Sequence, residues 1–115
     1  MTEELLRALK QITPEERAIL EGSGEIDPDI YITTNPEVFD SQKLMGDEKI
    51  ICMRAHTRFV HFPPHRHNFI EFIYMCSGVT HHIVNGREVV LQPGELLFLN
   101  QSAVHEIFPA GVDDI

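Results

Sequence analysis

The stretch HRHNFIEFIYMCSG, residues 65–78, places two histidines and a glutamate in a mostly apolar run. His65 and His67 stand one residue apart, and Glu71 follows four residues later. Residues of equal parity on a strand point to the same face, so in one unbroken strand all three side chains share a side. At about 3.3 Å of rise per residue the two imidazoles start roughly 7 Å apart, and their rings can converge on one cation. The stretch therefore predicts metal ligands of an enzyme, a pocket that senses a small molecule, or the remnant of such a site.

A set of two imidazoles and a carboxylate, joined by a further imidazole, suits zinc, nickel, manganese or iron(II). His105, in the later strand-like run AVHEIF, is the candidate for that further ligand. Phe69 and Ile73 share the parity of the first three residues, and His82 lies in a hairpin further along the chain. These three are the expected lining residues of a small-molecule pocket.

Short runs separated by Gly, Pro and Asn make up the chain beyond residue 50. We predict strands at residues 50–57, 60–62, 68–77, 80–84, 87–91, 95–99 and 103–108. The run 68–77 is apolar on both faces, which predicts a central strand covered on each side. Asn85-Gly86 between two β-branched runs predicts a two-residue type I′ hairpin with His82 opposite Val89.

Close strand spacing without intervening helices indicates a β-sandwich or barrel. A double-sheet barrel of this kind needs about eight strands, and only six or seven are visible. The chain reaches Ile115 soon after a strand, so we expect the barrel to be incomplete.

The first quarter of the chain predicts two short helices. An apolar stripe follows a possible cap at Thr2 and consists of Leu5, Leu6, Leu9 and Ile12. The sequence TPEE, residues 13–16, predicts a capping box for a second helix that stops at Gly22. Residues 22–46 are rich in Gly and Pro and predict irregular structure, with one short strand at residues 30–33. We predict a helical segment at residues 1–25 that packs on the main body or on a second subunit, and a β domain at residues 26–115.

The composition and charge of the chain exclude some classes of function. The 115 residues fit one globular domain, with 43% apolar residues and a net charge of −9 from 18 acidic and 9 basic side chains. Nucleic-acid binding needs clustered Lys and Arg, which this chain alone lacks. Cys52 and Cys76 both fall in apolar runs and are expected to be buried free thiols. No apolar run approaches the roughly 18 residues of a membrane span, and we expect a cytoplasmic protein.

The order of the ligand candidates resembles the first motif of the cupin superfamily, H-x-H, three or four residues, E, six residues, then G. His65, His67, Glu71 and Gly78 match it. Phe59 stands where the motif usually has a glycine, six residues before the first histidine.

The later stretch GELLFLNQSAVH is similar to the second cupin motif, G-x5-P-x-G-x2-H-x3-N. Gly94 and His105 match, whereas Asn100 and Ser102 replace the proline and glycine, and Pro109 replaces the final asparagine. The metal-binding positions that the resemblance implies are therefore complete, although the turn has diverged.

From about His56 to Glu106 the chain resembles the amino-terminal sensor domain of the arabinose-operon-regulator (AraC) type of bacterial transcription regulator. The resemblance implies a mainly β, cupin-like double-stranded β-helix, or jelly-roll barrel, preceded by short helices. It also implies a small-molecule effector, a homodimer, and DNA binding through a carboxy-terminal helix-turn-helix domain outside this chain. Two other functions stay open, a metal-dependent cupin enzyme of the isomerase or dioxygenase type and a plain dimerisation module. No residue outside the ligand set occupies a distinctive acid or base position, so the sensor is favoured over the enzyme.

Overall fold

A computed structural model of the chain describes residues 2–22, 24–45 and 54–115. Within these residues there are four short helices and seven strands, and all four helices lie in the first half of the sequence. The helices are α1 (Glu3–Lys10), α2 (Pro14–Glu21), α3 (Pro28–Tyr31) and α4 (Ser41–Leu44). The strands are β1 (Val38–Phe39), β2 (Phe62–His67), β3 (Glu71–Tyr74), β4 (Thr80–Val84), β5 (Arg87–Leu91), β6 (Leu96–Leu99) and β7 (His105–Ile107).

The two predicted amino-terminal helices are confirmed, together with their caps. Thr2 accepts a hydrogen bond from the Leu5 amide at the start of α1. Thr13 and Glu16 form the predicted capping box of α2, and that helix ends before Gly22. Each capping oxygen satisfies an amide that the first helical turn leaves without a partner.

Helix α2 packs on the main body through two buried side chains, Glu16 and Ile19. The Glu16 carboxylate accepts hydrogen bonds from Nε and Nη2 of Arg58, at 2.8 and 3.1 Å. The same guanidinium donates to the carbonyl oxygens of Val112, Lys10 and Gln11. Arg58 therefore ties the helices to the carboxy-terminal end of the described chain.

The segment between α2 and β2 is more regular than expected. The predicted strand at residues 30–33 is wrong, because residues 28–31 form α3. Asp27 caps this helix and Pro28 occupies its first turn, a combination that favours a helix start. The predicted strand at residues 50–57 lies partly outside the described residues, as does Cys52, and residues 54–57 are not in a strand.

The strands of the described residues form two sheets. The larger has five strands in the order β1-β2-β7-β4-β5, and the smaller pairs β3 with β6. The predicted hairpin of β4 and β5 is confirmed, with His82 opposite Val89. Asn85 and Gly86 both have positive φ, 50° and 81°, as a type I′ turn requires.

Strand β2 begins later and runs further than predicted, because it includes both Pro63 and Pro64. Its register with β7 shifts between Phe62 and His65. An irregular register is where a sheet tolerates residues that have no amide hydrogen to donate. The prolines therefore fit inside the strand instead of ending it.

The predicted long central strand at residues 68–77 is wrong. The chain leaves the larger sheet after His67 and re-enters strand structure in the smaller sheet at Glu71. One face of this short strand is open to solvent, with Phe72 exposed by 62% and Tyr74 by 53%. Glu71 consequently approaches His65 and His67 from a different sheet and not along one strand.

The main hydrophobic core joins the helices to the larger sheet. Its buried members are Ile19, Tyr31, Phe39, Val60, Phe62 and Ile107. The rings of Tyr31 and Phe39 stack at 4.8 Å, and Phe62 meets both rings edge-on or nearly so. Among the described residues, no helix is long and apolar enough to cross a membrane.

Candidate metal and ligand site

Three buried histidines come together next to this core. His65, His67 and His105 each offer a ligand atom, and these atoms lie within 4.8 Å of one another. His65 pairs with His105 across β2 and β7, and His67 lies two residues along the same face of β2. The described structure thus brings together the three histidines that the sequence singles out.

Glu71 joins the cluster through His67. Its Oε2 atom lies 2.8 Å from Nε2 of His67, and that nitrogen also lies 3.2 Å from Nε2 of His65. Three potential ligand atoms therefore face one another, two of nitrogen and one of oxygen. Two imidazole nitrogens on one tetrahedral zinc ion, each about 2.0–2.1 Å from it, would lie about 3.4 Å apart, close to the observed spacing.

Neighbouring groups fix the orientation of His65. Its Nδ1–H donates to the Pro63 carbonyl oxygen at 2.7 Å, which leaves the lone pair of the imidazole on Nε2. Metal-binding histidines are commonly oriented by such a hydrogen bond to a backbone carbonyl. The ring of Phe39 stacks on His65 at 3.7 Å with an angle of 11°, so the imidazole is held by packing as well.

His105 is held by a buried relay. The Thr80 hydroxyl can donate to the Met75 sulfur at 3.6 Å, and in that arrangement it accepts from Nε2–H of His82 at 2.7 Å. Nδ1 of His82 is then an acceptor, and it receives Nε2–H of His105 at 2.8 Å. This order places the lone pair of His105 on Nδ1.

Two imidazole nitrogens in the cluster are buried without a hydrogen-bond partner among the described residues, Nδ1 of His67 and Nδ1 of His105. A buried polar atom without a partner is costly in free energy, and native proteins seldom tolerate one. For His105 the free atom is the one that carries the lone pair. The donor set therefore fits a metal ion, which would give this buried lone pair a partner.

Burial sets the charge of the site. It lowers the pKa of His65 and of His82 to about 4 and that of His105 to about 2, because the charged imidazolium loses its hydration. For Glu71, burial raises the pKa, but the hydrogen bond and charge of His67 outweigh it and the net shift is downward. At neutral pH the site thus offers neutral imidazoles at His65 and His105 and a carboxylate at Glu71, the protonation states that bind a divalent cation.

The predicted lining residues occupy different places around the cluster. The Phe69 ring lies 4.9 Å from that of His67, and Ile73 is partly buried on β3. His82 is fully buried and contacts His105, whereas its neighbour His81 is exposed on the opposite face of β4. Whether these residues contact a ligand stays a prediction.

Several residues of the site carry no signal in the sequence. Phe39, Pro63 and Thr80 hold the histidines, but their roles depend on contacts between distant segments. His56 is partly buried, and burial lowers its pKa. His61 is 45% exposed at its side chain and pairs with Glu106, as expected of a surface histidine.

Fold and site together define a mainly β, cupin-like domain with a buried histidine cluster. A model of the family described as the AraC-like ligand binding domain matches residues 49–115. This match covers more than half of the chain, which therefore belongs to the AraC-like ligand binding domain family. The resemblance seen in the sequence is confirmed at the level of a small-molecule-binding domain.

Two solved structures are similar over part of the chain. A cupin protein from Bacteroides fragilis is 27% identical with a TM-score of 0.38, and the match covers 44% of each chain. The plu4264 protein from Photorhabdus luminescens is 13% identical with a TM-score of 0.30, and the match covers 44% of this chain and 50% of that one. This chain thus spans half or less of each of these two proteins. No curated protein matches it.

Proposed function

We propose that this chain is the effector-sensing domain of an AraC-type transcription regulator whose DNA-binding half lies outside residues 1–115. Membership of the AraC-like ligand binding domain family supports a small-molecule ligand. The net charge of −9 supports DNA contact through another domain, because phosphate binding requires clustered cations. A cytoplasmic location is part of this proposal.

We further propose that His65, His67, Glu71 and His105 hold a divalent transition metal within that domain. The supporting observation is the convergence of three buried imidazoles, two of which have a buried ring nitrogen without a hydrogen-bond partner in the described chain. Imidazole-rich sites with one carboxylate accept zinc, nickel, manganese or iron. A bound ion would act as a Lewis acid toward an oxygen atom of the effector.

The chain's own residues would shape the pocket around that ion. Phe69 and Ile73 add apolar surface beside the ligands, and His82 orients His105. Such a pocket selects a small molecule that combines an oxygen donor with an apolar part.

A stacked series of rings connects the cluster to the helices. His65 stacks on Phe39, Phe39 stacks on Tyr31, and the Tyr31 hydroxyl donates to Glu15 of α2 at 2.5 Å. An effector that binds one arrangement of these rings more tightly than another would shift the position of the helices. This series is the physical route that we propose for signalling.

Titration of untagged protein with zinc, followed by calorimetry, tests the metal site. We expect wild type to bind zinc, and His67→Ala to bind at least about 100-fold more weakly, because second-sphere changes alone cost 10–100-fold. His61→Ala is the matched control, since His61 is exposed and lies outside the cluster. Equal affinities for all three proteins, or no binding by wild type, would exclude the proposed ligands.

The regulator role has a separate test. The reading frame that encodes this chain should continue into two helix-turn-helix units. A reading frame that encodes no such unit in the same protein would exclude the regulator role. The metal-dependent cupin enzyme would then be the favoured function.

A further inference from the structure

His56 lies beside the histidine cluster without belonging to it. The residue is partly buried in the extended segment 54–57, which leads toward β2. Its ring centroid lies 6.2 Å from that of Phe62, and the Phe62 centroid lies 6.3 Å from that of His65. A single aromatic ring, Phe62, therefore separates His56 from one of the metal-ligand candidates.

The imidazole of His56 has unused hydrogen-bonding capacity. Among the described residues, neither of its ring nitrogens has a hydrogen-bond partner, although it is not one of the fully enclosed groups that lack one. Both nitrogens are thus within reach of solvent. The partly or fully buried histidines of the site are different, because His65, His82 and His105 each hydrogen bond within the chain. A half-buried imidazole with a free donor and a free acceptor suits a polar group of a ligand.

The cluster itself is open to solvent on the side of Glu71. The Glu71 side chain is 29% exposed, whereas His65, His67 and His105 are 2%, 4% and 0% exposed. One carboxylate oxygen, Oε2, lies against His67, and Oε1 has no hydrogen-bond partner in the described part of the chain. A small molecule would therefore reach the cluster past this carboxylate.

Electrostatic coupling associates His56 with the same open side. Burial lowers the pKa of His56, and the Glu71 carboxylate is the charged group that opposes this shift most. For Glu71, whose pKa burial raises, the charge of His56 contributes to the net downward shift. The two side chains thus influence each other without a hydrogen bond between them, which leaves room for a ligand near both.

The charge of the metal-loaded cluster would favour an anionic ligand. A divalent cation together with the Glu71 carboxylate and neutral imidazoles carries one net positive charge. An uncompensated charge in a buried site is costly in free energy. A ligand with one anionic oxygen donor, such as a carboxylate, would remove this cost.

We propose that His56 selects the effector by hydrogen bonding to a second polar group of a molecule whose anionic oxygen binds at the cluster. The effector class is then a small carboxylate that carries a hydroxyl group on an apolar or aromatic frame. Phe69 and Ile73 supply apolar surface for that frame. This role of His56 rests on the proposed metal site and sensing function, and it specifies the class of molecule that is sensed.

Calorimetric titration of the zinc-loaded chain with benzoate, 3-hydroxybenzoate and 4-hydroxybenzoate tests this role. Both isomers hold the hydroxyl too far from the carboxylate for the two groups to bind one ion, and each fixes a different distance between them. We expect at least one isomer to bind about 10-fold more tightly than benzoate, the effect of one good hydrogen bond.

Three variants isolate the contribution of the imidazole. His56→Phe should bind benzoate as wild type does but lose the preference for the hydroxylated probe. His56→Gln should retain part of the preference, because its amide still donates and accepts hydrogen bonds. His81→Phe is the matched control, since His81 is exposed on the opposite face of β4 from His82, and it should keep the full preference. All three variants should bind zinc as tightly as wild type.

The zinc titration separates a failure of this role from a failure of the metal site. A wild type that binds no zinc would exclude both. A zinc-loaded wild type that binds neither isomer more tightly than benzoate would overturn the role of His56 alone, as would a preference that persists in His56→Phe. A loss of zinc affinity in His56→Phe as large as that in His67→Ala would also overturn it, because His56 would then be a metal ligand.

Discussion

The Glu71 carboxylate lies 2.8 Å from Nε2 of His67, although the two residues belong to different sheets. The smaller sheet therefore contributes the Glu71 carboxylate to the histidine cluster, while β2 and β7 of the larger sheet contribute the imidazoles. A metal bound by all four residues would join the two sheets as well as provide a binding centre. Its binding free energy would then contribute to folding.

We predict that His82→Phe weakens zinc binding about 10–100-fold. This substitution keeps an aromatic ring at position 82 but removes the ring nitrogen that accepts Nε2–H of His105. His81→Phe is the control, since His81 lies next to it on the exposed face of β4. Calorimetric titration of both variants checks the prediction. Unchanged affinity in His82→Phe would show that the relay does not orient His105.

We predict that Arg58→Ala lowers the free energy of unfolding by about 3–5 kcal/mol, the usual cost of leaving a buried charge without its partner. Arg58 and Glu16 are each 1% exposed at the side chain, and the substitution also leaves three carbonyl oxygens without this donor. Arg54→Ala should cost less than about 1 kcal/mol, because the Arg54–Glu15 pair is partly exposed and its N–O distance is 3.5 Å. Urea unfolding measures both changes, and equal losses would contradict the prediction.

The Arg58–Glu16 ion pair predicts that the stability of the fold depends on pH. Burial raises the pKa of Glu16, but hydrogen bonds from Arg58 and from the Thr13 and Arg58 amides outweigh it and lower the pKa from 4.5 to about 2. A carboxyl whose pKa is lower in the folded state stabilises the fold fully above the unfolded value and loses this effect as the pH falls. The stability difference between wild type and Glu16→Gln should therefore shrink between pH 4.5 and pH 2. A constant difference over this range, measured by urea unfolding, would show that Glu16 does not stabilise the fold as an anion.

We predict that Gly78→Ala is more destabilising than Gly94→Ala. Both glycines have positive φ, 71° and 85°, so both substitutions carry a backbone cost of about 1–2 kcal/mol. At Gly78 an added Cβ would also lie 2.6 Å from the Asp113 carbonyl oxygen and 2.7 Å from Cα of Asp114, whereas at Gly94 it would meet nothing within 4 Å. Thermal unfolding compares the variants, and equal melting temperatures would mean that the carboxy-terminal segment moves aside freely.

Local signals predicted the parts of the fold that depend on neighbouring residues. The capping box at Thr13 and the Asn85-Gly86 turn are each determined within a few residues, and both are confirmed. The alternation of His65 and His67 likewise placed both side chains on one buried face. The motif glycine at Gly78 corresponds to a position that has positive φ and no room for a side chain.

Features that depend on tertiary contacts were predicted poorly. The break between His67 and Glu71 moves the chain from one sheet to the other, and the apolar run across it gives no sign of this. The apolar run at residues 68–77 also gives no sign that Phe72 faces solvent. Phe59, which stands where the cupin motif usually has a glycine, has a positive φ of 68°, and its side chain is partly buried beside the core, which helps to offset this backbone strain.

X-ray absorption at the zinc edge of the untagged, zinc-loaded chain is the most direct test of the histidine cluster. We predict one tightly held zinc per chain with a nitrogen and oxygen shell that shows imidazole scattering from His65, His67 and His105. The signal should lose one imidazole in His105→Ala. A chain that retains no zinc, or a shell without histidine scattering, would contradict the proposed metal site.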